Sequence, residues 1–172
     1  MDQLTEAEVR DAFINCSKGD AKKITLPGPV DEVRWARLDF LGWRDPKAPE
    51  RGYLVVPWRG RIVGIALRSS SKSGKSLMKS TMCSLCLTVH PSSGVSLFTA
   101  RRAGALGREG NSVGTYMCTD LQCSRYVRGE LVSEAFVSLG ETIDRESKIE
   151  RLQDQVEQFV SRVAGDLVGV ED

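Results

Sequence analysis

Four of the five cysteines stand in two close pairs, Cys83-Ser-Leu-Cys86 and Cys118-Thr-Asp-Leu-Gln-Cys123, with 31 residues between the pairs. A two-residue spacing makes a knuckle: a tight turn aims both sulfurs at one centre and leaves backbone N–H groups beside the thiolates. Four thiolates at about 2.3 Å in a tetrahedron are what structural Zn(II) prefers. An isolated C-x2-C can also be a redox pair. A redox pair does not require a second cysteine pair beyond a hairpin, so the set of Cys83, Cys86, Cys118 and Cys123 points to zinc. A centre closed by four protein ligands has no open position for water or substrate, which argues against metal catalysis.

Four thiolates around Zn(II) carry a formal charge of −2 and need cations or amide donors nearby. Arg101, Arg102 and Arg125 are close enough in sequence to be expected in that role. His90, the one histidine, follows Cys86 by four residues and precedes Pro91. It could replace a cysteine, but its place in an expected loop tip predicts solvent exposure. Cys16 falls on the apolar face of an expected first helix and reads as a small buried hydrophobe.

Catalytic alternatives fail on residue content. A Ser-His-Asp or Cys-His set would have to use His90, which nothing in the sequence positions. Ser69 to Ser76 approximates a phosphate-binding loop but lacks its first glycine and runs on toward the zinc knuckle. The expectation is a protein that is not an enzyme and takes no small-molecule substrate.

The elements around the cysteines follow from pattern. Thr5-Glu6-Ala7-Glu8 fits a capping box, and Val9, Ala12, Phe13 and Cys16 then share one face, predicting a helix from Glu6 to Ser17 stopped by Gly19. A Trp-rich arm over Val33–Trp43 reads as a short helix or irregular packing, ended by Asp45-Pro46-Lys47-Ala48-Pro49. Tyr53–Trp58 and Arg61–Leu67 read as a β-hairpin around Arg59-Gly60, with Pro57 at an edge or strand end. Ser69–Ser80 has the composition of a mobile loop. Val95–Arg101 and Val113–Cys118 are further strands joined by a turn holding Gly104, Gly107 and Gly110, and Thr119–Tyr126 turns helical. A long helix over Asp144–Ala164 carries the stripe Ile149, Leu152, Val156, Phe159, Val160 and Val163. The order knuckle, hairpin, helix is that of a treble clef. The fold class is α+β: a treble-clef zinc finger with β-hairpins, an N-terminal helix and a long C-terminal amphipathic helix. One domain is expected, with 1–50 as helix and arm, 51–130 as hairpin plus zinc region, and 131–172 as the packed C-terminal helix.

Charge supplies the partner argument. The 172 residues hold 24 Lys and Arg against 23 Asp and Glu, a formal +1. Residues 51–128, however, hold 12 basic and two acidic residues, so the middle carries +10 between ends of −2 and −7. Near-neutrality is thus a cancellation between segments. No apolar run is long enough to span a membrane, the first residues lack the pattern of a signal peptide, and the odd cysteine count suits a reducing compartment, so a cytoplasmic location is expected.

From Leu41-Gly42-Trp43-Arg44-Asp45-Pro46 onward, with Met82–Cys86, Leu97–Arg102, Gly110–Tyr116 and Cys118–Tyr126, the sequence resembles the FBP-type treble-clef zinc-finger proteins of actinobacteria. These share their zinc domain with FusB-type proteins, which bind elongation factor G and release it from fusidic-acid-stalled ribosomes. The resemblance places the zinc ligands on Cys83, Cys86, Cys118 and Cys123. It implies binding to elongation factor G and modulation of its interaction with the ribosome. Arg101, Arg102, Arg108, Arg125 and Arg128 are the expected partner-binding residues. The alternative use of the 51–128 block is on ribosome or rRNA phosphates, with Tyr116, Tyr126 or Trp58 available for stacking.

Overall fold

The structure, a computed structural model, describes residues 1–69, 80–91, 93–134 and 143–165. Its centre is a five-stranded antiparallel sheet in the order β1-β2-β3-β6-β7, made of β1 (Leu41–Arg44), β2 (Arg51–Trp58), β3 (Arg61–Ser69), β6 (Val95–Arg101) and β7 (Ser112–Cys118). A two-stranded ribbon of β4 (Thr81–Met82) and β5 (Val89–His90) carries the first cysteine pair between its strands. The helices are α1 (Glu6–Asp11), α2 (Lys18–Lys22), α3 (Gly104–Arg108), α4 (Cys123–Val127) and α5 (Arg145–Ala164).

The β2–β3 hairpin closes through Arg59 and Gly60, whose φ values of +49° and +76° match the doubly left-handed turn whose twist suits two antiparallel strands. Trp58 therefore pairs with Arg61, and counting outward pairs Val56 with Val63 and Arg51 with Arg68. β1 pairs with β2 only as far as Val55, so Pro57, which has no N–H to donate, lies where β2 has a neighbour on one side.

Two layers cover this sheet. On one face, Leu54, Val56, Ile65, Leu67 and Phe98 pack against Leu152, Val156, Phe159, Val160 and Val163 of α5. Asp144 caps α5, accepting from the Ser147 N–H at 2.9 Å, as its place ahead of the apolar stripe predicts. On the other face, Tyr53 and Val55 of β2 and Trp43 of β1 meet Val9, Ala21 and Trp35 of the N-terminal layer.

That layer departs from expectation. The first helix ends at Asp11, not Ser17, and a second runs through Gly19 with Ser17 as its cap. The chain leaves the helix because residues 12–15 complete the sheet. β6 pairs with β3 only at Arg68 and Ser69, leaving the rest of that edge open. Phe13 bridges to Gly64, and the Ile14 N–H donates to the Gly64 carbonyl at 3.0 Å. A Cβ on Gly64 would stand 2.9 Å from the Phe13 ring, so this glycine admits the segment. The Asn15 side chain donates to the carbonyls of Ala66 and Arg101 and accepts from the Ala66 N–H, lacing the gap. Cys16 is accordingly half-buried beyond α1, and burial raises its thiol. Two 3-10 turns, Val30–Glu32 and Trp35–Arg37, form the arm, but Leu41–Arg44 is a strand. The connection from β6 to β7 is the helix α3 rather than a plain turn. The stretch expected to be a mobile loop, apart from Ser69 and Ser80, lies outside the described residues.

Candidate metal centre

Cys83 and Cys86 sit in the turn between β4 and β5; Cys118 ends β7 and Cys123 opens α4. Each pair is wound by a residue in the left-handed region. The Leu87 N–H donates to the Cys83 carbonyl at 3.0 Å with φ +57°, and the Leu121 N–H to the Cys118 carbonyl at 2.9 Å with φ +60°. A non-glycine residue there is strained unless its surroundings hold it. Leu121 is held: its side chain and carbonyl fill the space left by Gly42 and Gly52, where an added Cβ would come within 2.5 and 2.9 Å of Leu121 atoms. The glycines of two sheet strands thus seat the turn that presents the second cysteine pair.

All four sulfurs are buried and lie within 4.8 Å of one another. Cys83 Sγ is 3.7 Å from Cys123 Sγ, and Cys86 Sγ is 3.4 Å from Cys118 Sγ. Metal–sulfur bonds of about 2.3 Å at tetrahedral angles set the sulfurs about 3.8 Å apart, so the donor set fits a tetrahedral thiolate metal. The N–H groups of Leu85 and Cys86 donate to Cys83 Sγ at 3.4 and 3.5 Å. Hydrogen bonds from Cys118, then Cys123 and Cys86, drive the Cys83 thiol far below its ordinary range; the same network, led by Cys118, pushes Cys123 well up. Buried sulfurs this close together can carry negative charge only with a cation among them.

His90 departs from the expected exposed loop tip. It is 3% exposed, its Nε2 lies 3.3 Å from Cys118 Sγ, and its ring meets Tyr126 edge-on at 4.8 Å. It is not one of the four clustered donors but a hydrogen-bonding neighbour of one. Gly94 allows this, since a Cβ there would stand 2.5 Å from the histidine. A glycine four residues after the histidine was the available sequence signal. Thr88 Oγ1 is a further neighbour, 3.3 Å from Cys86 Sγ.

The arginines expected to balance the centre do not reach it. Arg101 pairs with Ser112, six residues along β7 from Cys118, which is about 20 Å of strand. Arg102 is half-buried with its guanidinium against Gly165 at the end of α5, where a cation suits the helix dipole. Arg125 lies 3.7 Å from Glu130. Arg128 grips both oxygens of Asp39, a pair whose side chains are 15% and 3% exposed. Arg101 and Arg108 are exposed. The five arginines therefore do not form one surface: Arg101, Arg102 and Arg108 border one hollow, and Arg125 lines another on the side of the arm. Of the aromatics considered for stacking, Trp58 is buried, Tyr126 is tied to Asp120 at 2.9 Å, and Tyr116 is 55% exposed.

Knuckle, hairpin and helix with four converging sulfurs define a treble-clef zinc finger. The family model of the FBP C-terminal treble-clef zinc-finger matches residues 8–163, and the chain belongs to that family. Neither the curated proteins nor the solved structures contain a match. No helix among the described residues is long and apolar enough to cross a membrane.

Proposed function

We propose that the chain is a non-enzymatic Zn(II) protein of the cytoplasm that binds translation elongation factor G and modulates its interaction with the ribosome. The observation that carries this reading is the closed four-sulfur centre in a chain that belongs to the FBP treble-clef family across residues 8–163. The all-thiolate, tetrahedral donor set favours Zn(II) among common metals. Such a centre shapes a surface and leaves no open coordination position. The basic middle of the chain suits an acidic partner, which charge would steer into contact. Within the expected partner-binding set of Arg101, Arg102, Arg108, Arg125 and Arg128, the reading concentrates on Arg101 and Arg108, which are exposed, because Arg125 and Arg128 pair with acids and Arg102 is half-buried against the end of α5.

The test is titration calorimetry of the zinc-loaded protein against purified elongation factor G, with metal analysis of the same sample. One zinc per chain and a saturable complex weakened at least tenfold by Arg101→Glu with Arg108→Glu are expected. A metal other than zinc, or no complex at low salt, overturns the corresponding half of the reading.

A further inference from the structure

The sheet face that bears the N-terminal layer is only partly covered. Residues directly opposed in an antiparallel pair put their side chains on the same face. Tyr53 and Ala66 are such a pair, under the N-terminal layer. Two residues further along, Arg51 opposes Arg68, Arg68 opposes Thr99, and Thr99 opposes Gly114. On the same face Arg101 opposes Ser112, and Leu97 opposes Tyr116. Arg51, Arg68, Arg101 and Tyr116 are all exposed. The arginines line a hollow of about 1080 Å³, to which α3 adds Arg108 and the end of α2 adds Lys23.

Three features say what this face meets. First, like charges directly opposed across two strands weaken the pairing, so folding gains nothing from Arg51 facing Arg68. Glu50 approaches Arg51 only to 4.0 Å. Asp20, hydrogen-bonded by Ser17 at the cap of α2 and feeling Lys23 and Arg51 at longer range, is among the described residues the single acid lining the hollow against its several cations. Second, the cations have Tyr116 as their one large exposed apolar neighbour on these strands. Protein partners draw affinity from clustered apolar and aromatic anchors, whereas a phosphate backbone needs cations and releases counterions. Third, a Cβ at Gly114 would make ordinary contacts of 3.5 Å with Leu97 and 3.6 Å with Thr99. Packing does not demand glycine there, and its bareness leaves flat space beside the Tyr116 ring for a base. Thr99 and Ser112 set hydroxyls among the arginines, partners for a ribose 2′-hydroxyl.

We propose that this uncovered face binds single-stranded RNA, with Arg51, Arg68 and Arg101 on phosphates and Tyr116 stacked on a base. This assigns a second ligand beyond elongation factor G; the two readings share Arg101 and the hollow that Arg108 lines, so the ligands would compete there, but the RNA reading does not rest on the elongation factor one. Fluorescence anisotropy of a labelled 12-nucleotide RNA with the zinc-loaded full chain tests it, with matched DNA and purified elongation factor G measured in parallel. Binding should weaken with salt at a log–log slope of about −2, the value for three phosphate contacts on a single strand. Arg51→Glu with Arg68→Glu should lower RNA affinity at least tenfold and flatten that slope. Tyr116→Ala should lower affinity about 5- to 100-fold at unchanged slope, as loss of a stacked base does. Gly114→Leu, which alters no charge, should also weaken binding while circular dichroism and zinc content stay native. No RNA binding at low salt, or variants that bind RNA as the parent does, overturns the proposal. So does equal binding of DNA. If the arginine reversals abolish the elongation factor complex while the parent binds no RNA, the face is a protein-docking surface and this inference fails, leaving the proposed function standing.

Discussion

The metal-bearing layer and the N-terminal layer lie on opposite faces of one sheet and are held by different means. The first combines an aliphatic helix with four sulfurs gathered on one point; the second is an aromatic cluster pinned by polar groups. Trp43 meets Tyr53 at 5.1 Å, and Phe13 meets Tyr53 edge-on at 5.8 Å. The Trp35 and Trp43 indoles donate to the carbonyls of Val30 and Thr25, both at 2.9 Å, and the Tyr53 hydroxyl donates to Asp45. Aromatic rings with polar tips fill space while satisfying backbone carbonyls that short, irregular segments leave unpaired. The metal layer instead places two strained leucine turns around a buried cluster that needs a cation. One face thus carries a donor set built for a metal ion and the other is held by burial and local hydrogen bonds, so the clamps between them decide whether they unfold together.

Removing the metal should have the largest effect. Structural zinc contributes on the order of 10 kcal/mol, comparable to the whole stability of a domain of this size. Chelation, or Cys86→Ser, should therefore abolish protected amides in α5 and the near-ultraviolet signals of the N-terminal tryptophans at the same chelator concentration. Coincident loss is expected because Leu121 sits in the sheet glycines and Asp39 ties the arm to α4. Tryptophan signals that survive chelation would instead make the N-terminal layer an independent unit.

An intermediate effect should come from the clamp itself. Asp39 holds Arg128, receives Gln153 Nε2 at 2.9 Å, and its backbone N–H donates to Ser124. Asp39→Ala leaves a largely buried guanidinium unpaired and should cost about 3–5 kcal/mol in urea unfolding. Adding Arg128→Met should recover part of that loss. An unchanged midpoint in the single variant would show that the two layers cohere without this pair.

The smallest effect belongs to the exposed start of the N-terminal layer. Glu8 accepts from the Thr5 N–H at 2.7 Å, and this bond first, then the Thr5 hydroxyl, holds its carboxyl below the ordinary value of 4.5. The ionised form is the one the fold favours, so this contribution is fully present above the ordinary glutamate value and fades as pH falls through the depressed one. Amide exchange at Val9 should accelerate in that acid window; Glu8→Gln should remove the dependence, while Thr5→Ala, which keeps the backbone N–H, should only lessen it. Exchange at Leu152 in α5 should not respond.

Much of this was legible in the residues, for local reasons. The cysteine spacing carries its own geometry, because a knuckle and a strand-to-helix junction are local turns. Asp144 ahead of an apolar stripe marks α5 for the same reason. Arg59-Gly60 between two β-branched runs sets both the hairpin and its register, so the opposition of Arg51 and Arg68 follows by counting outward from the turn.

Contacts between distant segments were not legible. Helical spacing runs past Asp11, but Gly64, more than fifty residues on, offers hydrogen bonds and an empty side-chain position, and the chain extends to take them. His90 looks like a loop tip until Gly94 and Tyr126 close over it. Sequence proximity to the cysteines suggested Arg101 and Arg102 as counter-charges, yet a strand carries them to the far end of the hairpin. Spacing and periodicity were enough to fix the cysteine quartet that clusters, the hairpin and the amphipathic helix, since each is a local pattern. The tertiary structure alone decided which arginines share a face, because that depends on strand order and on which part of the sheet the N-terminal layer leaves open.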